Sequence, residues 1–72
     1  LQLCKQQGKR NCLGVSSDDT CINLIGGPFV SGWAGGHYQC TIYAGSGCTG
    51  TRAMVDREGW SKFDFNAWSM RC

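Results

Sequence analysis

Six cysteines in a chain of 72 residues constrain this sequence more than any other feature. A chain this short buries only about 60% of the surface it exposes when unfolded, so a hydrophobic core alone is marginal. An even set of half-cystines supplies the missing constraint and reads as three disulfides made in an oxidising compartment. Two of the cysteine pairs share the frame C-x7-C-x-G, CKQQGKRNCLG at residues 4–14 and CTIYAGSGCTG at residues 40–50. The frame suggests two half-motifs, 1–36 and 37–72, in a single domain covering 1–72. Zinc is the rival use of clustered cysteines, and it calls for closely spaced chelating pairs such as C-x2-C. The gaps between Cys4, Cys12, Cys21, Cys40, Cys48 and Cys72 are all wider, and His37 is the sole histidine. No metal and no cofactor are therefore expected.

The cysteine count also sets the expected location, which is secreted and extracellular. No charged and then apolar leader precedes Leu1, so the expectation is a chain whose signal peptide has been removed. No apolar run approaches the 18 or so residues that a membrane span requires. None of Asn11, Asn23 or Asn66 lies in an N-x-S/T sequon. A net charge of +2 is too small to argue for nucleic acid as a partner. Lys5, Lys9 and Arg10 are the one basic concentration.

Eleven glycines and no sustained 3.6-residue period argue against a helical bundle. The expected class is all-β or β-rich. Residues 1–7 alternate loosely as a first strand, and a basic turn follows at 8–11. SSDDT (16–20) is polar enough for a loop or for the N-terminus of a short helix after Ser16. CINLI (21–25) is a short strand or one helical turn, ended by Gly26-Gly27-Pro28. SGWAGG reads as a loop holding one large ring, Trp33. HYQCTIYA alternates with Tyr38, Cys40 and Ile42 on one face, as a half-buried strand does. TRAMV is its returning strand and DREG a turn. Phe63 and Phe65 share a face, and Trp68, Met70 and Cys72 form a final inward-facing row.

At Tyr43 the chain resembles a known pattern. Tyr43-A-G-S-G-Cys48-T-Gly50, followed by Gly59-Trp60 and Trp68-Ser69-Met70-Arg71-Cys72, is similar to the βγ-crystallin Greek-key signature, with Cys48 in place of the second aromatic. The spacing also resembles small secreted cysteine-rich proteins of filamentous fungi. The resemblance covers Gln39 to Cys72 and is thin over the first 36 residues. It implies a compact Greek-key sandwich, in which the fourth strand lies beside the first. That closure makes Cys40–Cys72 the preferred bridge, although six cysteines by themselves allow fifteen connectivities. Microbial relatives of this type often bind calcium. The nearest match here is Asn66-A-W-Ser69, where Phe65 and Met70 stand at the other two ligand positions, so calcium is not expected.

For chemistry, His37 is the only conventional general base, with no nucleophile or orienting partner placed beside it by a motif. Asp18/Asp19 and Asp56/Glu58 are close carboxylate pairs in turn-like contexts that favour capping. The expected protein is non-enzymatic. Trp33 is the aromatic most expected to be exposed, with His37 and Tyr38 beside it. A binding surface is thus expected at Trp33, His37 and Tyr38, with Lys5, Lys9 and Arg10 as second choice. The function implied is a fungal-type secreted effector, toxin or antimicrobial protein. It is expected to be a monomer binding an unknown protein, membrane or wall-polysaccharide target. Alternatives are a protease inhibitor presenting residues 32–37 or 28–31, a small hydrolase or ribonuclease using His37, and a structural wall or spore component.

Overall fold

The computed structural model describes residues 1–36 and 38–72. Seven strands form two antiparallel sheets: β1 (Gln2–Gln6), β2 (Arg10–Gly14), β3 (Ile22–Asn23), β4 (Ser31–Trp33), β5 (Cys40–Tyr43), β6 (Arg52–Val55) and β7 (Ser69–Arg71). One sheet has the order β2-β1-β4 and the other β3-β7-β5-β6. The described residues contain no helix. The chain is all-β.

The sequence explains each local choice. The first hairpin turns through Gly8 and Lys9, whose φ angles of 77° and 59° are both left-handed. Gly47 and Cys48 (66° and 57°) take the same conformation between β5 and β6. Period-two alternation buries Cys40 and Ile42 on β5 and leaves Thr41 and Tyr43 half-exposed. Leu1, Leu3, Leu24, Phe29, Ile42, Val55, Phe63 and Met70 are the larger members of one shared core drawn from both sheets.

The two sheets exchange elements. β3 belongs to the first half of the chain but pairs with β7 in the sheet of the second half, at Ile22↔Met70 and Asn23↔Ser69. Trp60 makes the reciprocal move and bridges to Gly32 on β4, with backbone bonds of 2.8 and 3.1 Å. Phe29 and Ala67 bridge between the halves. Ile22 and Trp60, Phe29 and Ala67, and Ser31 and Ser69 are each 38 positions apart.

The paired serines fasten the hairpins. Ser31 Oγ donates to Gln6 O (2.7 Å) and accepts from Lys9 N (3.2 Å). Ser69 Oγ donates to Gly45 O (2.6 Å) and accepts from Cys48 N (2.9 Å). Both serines are fully buried, and each pins a left-handed turn residue of its own half.

The disulfides join Cys4 to Cys12, Cys21 to Cys48 and Cys40 to Cys72. The first closes a single hairpin, where Cys4 faces Cys12 across β1 and β2. Cys40 and Cys48 stand at the same spacing as Cys4 and Cys12 but bond to two different distant segments. The shared cysteine frame, 36 positions apart, is therefore not the spatial repeat. The hairpin equivalences Gln6 with Gly45 and Lys9 with Cys48 lie 39 apart.

Three further expectations change. The polar run after Ser16 is a bend, because Ser17 Oγ closes onto both the N–H and the carbonyl of Thr20, and Asp19 has a left-handed φ of 59° that a helix cannot contain. Trp33 ends a strand and is half-buried, because Ser31–Trp33 is in register with Gln2–Cys4. Trp68 is 41% exposed, outside the core. Its backbone bonds to Tyr43 and Leu24 hold it just ahead of β7, while Ala67 and Met70 on either side of it are buried.

Candidate functional site

The two sets of binding residues read from the sequence meet at one point. Lys9, on the first hairpin turn, holds its Nζ 5.8 Å from the centroid of the Trp33 ring, within cation–π range. The same ammonium donates to Glu58 O at 2.9 Å. Beneath it, Asp56 Oδ1 accepts from the N–H groups of Glu58 (3.1 Å) and Gly59 (3.2 Å), which folds DREG into an Asx turn. Gly59 lies flat against Trp33, where a Cβ would sit 2.5 Å from Trp33 Cβ and 2.8 Å from its Cα. Trp33 is thus packed on one side and covered by a cation. Lys5 and Arg10 are exposed and outside this cluster. His37 lies outside the described residues.

The segments considered as inhibitor loops are largely integrated into the sheets. Phe29, Ser31, Gly32 and Ala34 are buried, and the chain around them is bonded to Cys4, Trp60 and Asp56.

Tyr38 occupies a different place from Trp33. It lies ahead of β5, is 42% exposed, and does not continue the inward row of Cys40 and Ile42. Its hydroxyl accepts from Leu1 N (2.8 Å) and from Gly35 N (3.2 Å). Gly36 backs the ring edge, where a Cβ would meet Cδ1 and Cε1 at 3.4 Å. The ring is thus held at its tip and lines a cleft of about 460 Å³. That volume is in the range of small-ligand sites. Leu1, Val15 and Cys72 form the apolar floor, and Ser16, Ser17, Asp18 and Gln39 the polar rim. Desolvation lowers the pKa of the Leu1 amino group below its ordinary 8.0.

The acidic pairs divide. Asp19 is 3.4 Å from Arg71 in an exposed ion pair, while Asp18 turns to the cleft. Among the described residues, Asp18 and Gln39 have no side-chain hydrogen-bond partner, so both rim groups are free for a ligand. Sequence reasoning treated Asp18 as a cap and did not single out Gln39. Alternation does assign Gln39 to the outer face, but nothing local brings residues 16–18 against Tyr38. That approach depends on the backbone bond from Val15 N to Leu1 O (2.8 Å) and on Cys40–Cys72.

A second recess, about 470 Å³, lies over Thr41, Arg52, Ala53 and Met54 on the hairpin β5–β6, where Met54 is 57% exposed. Ser69, in the segment nearest the calcium pattern, is buried and committed to Gly45 and Cys48. Among the described residues, no three His, Cys, Asp or Glu side chains cluster as metal ligands. Compared with known proteins, the chain matches no family model, no curated protein and no solved structure.

Proposed function

We propose that this chain is a secreted, βγ-crystallin-like Greek-key domain that acts by binding, as an effector, toxin or antimicrobial protein, and carries out no catalysis. The observation that carries the binding reading is Tyr38: a part-exposed aromatic ring whose hydroxyl is held by two N–H donors and which lines a polar-rimmed cleft. A ring held in this way loses little conformational freedom when it meets a partner, which favours its use as an anchor. The Lys9–Trp33 pair is a separate contact surface of lesser reach, because its members already satisfy one another.

The Greek-key reading is supported by the strand order. In each half, the fourth segment lies beside the first, and the third crosses to the sheet of the other half. The serine pair supports it too, since each serine ties its fourth segment to its own first hairpin. Secretion is supported by three disulfides in so short a chain.

The test is labelled protein applied to host cells, competitor cells and isolated cell walls, beside a Tyr38→Ala variant shown by circular dichroism to fold. Retention by one of these surfaces, lost in the variant, is the expected result. Equal retention of the variant, or no retention on any surface, overturns the proposal.

A further inference from the structure

We infer that the Tyr38 cleft is a saccharide site, its ligand a neutral oligosaccharide that stacks one pyranose ring on Tyr38 and hydrogen-bonds hydroxyls to Asp18 and Gln39. This rests on the binding reading above and names the ligand class for it.

Three features select that class. A sugar ring has a C–H face that packs on an aromatic surface, and Tyr38 offers one held rigidly in place. Its edges carry adjacent hydroxyls, each both donor and acceptor. The rim answers with a carboxylate that only accepts, an amide that does both, and the Ser16 hydroxyl. Leu1, Val15 and Cys72 supply apolar lining beside the ring.

Charge narrows the choice further. Asp18 disfavours phosphate and carboxylate ligands at this rim, and a neutral polyol avoids that repulsion. The cleft is open at its mouth, so a longer chain can continue beyond the bound residue, as an internal unit of a polysaccharide would require.

The experiment is titration of the full chain with soluble β-1,4-linked N-acetylglucosamine, β-1,3-glucan and β-1,4-glucan oligomers, each to about 10 mM, followed by amide chemical shifts. A parallel arm measures sedimentation with the insoluble polymers, to distinguish free oligosaccharide from wall polymer as the source. The expected result is that at least one oligomer shifts the Asp18 and Gln39 amides. Asp18→Ala and Gln39→Ala each weaken its binding about tenfold, the loss of a charge-assisted or amide hydrogen bond. Asp18 and Gln39 are exposed, so these variants fold even if Tyr38→Ala does not. Shifts confined to other surfaces, or affinity unchanged in both rim variants, overturn the inference. So does the absence of any saccharide response from a protein that still binds cells, and that result leaves the binding proposal standing.

Discussion

Replacing Ser69 by alanine removes one oxygen atom and two hydrogen bonds, and the structure sets how much that costs. The hydroxyl is fully buried, donating to Gly45 O and accepting from Cys48 N. Both partners are half-buried, so water replaces the lost bonds only in part. Two net bonds of about 1 kcal/mol each, with part of the penalty for unpaired groups, give a loss of about 2 kcal/mol. Ser31 makes the equivalent bonds, but its partners Gln6 and Lys9 are exposed and rehydrate readily. Ser31→Ala then costs about 1 kcal/mol. In a domain of this size those losses lower Tm by about 8–16 °C and 4–8 °C. The assay is thermal and urea unfolding with the disulfides intact, and Ser61→Ala serves as an exposed control expected within about 0.5 kcal/mol of the parent. Hydrogen exchange adds a local readout, since Cys48 N loses protection in one variant and Lys9 N in the other. Equal losses, the reverse order, or changes within the control's range refute the reasoning.

Gly59→Ala places a methyl group against Trp33 and the Gly32 carbonyl at a φ of 68°, and costs about 3–5 kcal/mol by urea unfolding. Gly8→Ala, at a φ of 77° in open space, costs only about 1–2 kcal/mol by the same measurement. Among the disulfides, whose cysteines lie 8, 27 and 32 residues apart, paired Ser substitutions follow loop length. Chain entropy gives about 2.6 kcal/mol for Cys4–Cys12, 3.6 for Cys21–Cys48 and 3.7 for Cys40–Cys72, so calorimetry ranks the Cys4/Cys12 variant the most stable. Lys9→Ala loses the contact with Trp33 and the bond to Glu58 O, lowering stability by about 0.5–1 kcal/mol and changing tryptophan emission. Arg10→Ala, without a side-chain hydrogen bond or ion pair among the described residues, leaves both within error.

The parts of the fold legible in the sequence are those with local causes. The β5–β6 hairpin follows from alternation around Cys40 and Ile42 and from the glycines of its turn. The all-β class follows from the lack of helical period. Trp33 and Trp68 show the limit of this reading. A glycine-flanked Trp33 looks like a loop residue, yet pairing with Gln2 makes it the end of a strand. Trp68 alternates with Met70 as a core residue does, but the strand starts only at Ser69 and the ring stays half in solvent. Alternation marks faces only within a continuous strand.

The candidate site divides along the same line. Tyr38 is visible in the sequence as an aromatic beside glycines, but Asp18 and Gln39 gain their meaning from a cleft between segments twenty residues apart.

The cysteines divide in the same way. Six cysteines in 72 residues determine by themselves that the chain is a disulfide-stapled unit, because chain length limits the core and cysteine count supplies the constraint. Which cysteines bond, and which spacing is the repeat, was decided only in three dimensions. The identical frames at Cys4 and Cys40 close one hairpin in the first case and tie it to two distant segments in the second. The spatial repeat instead runs through Ser31 and Ser69, whose hydroxyls hold the turns. A spacing is a property of one segment. A bond partner depends on where the sheets bring two segments together.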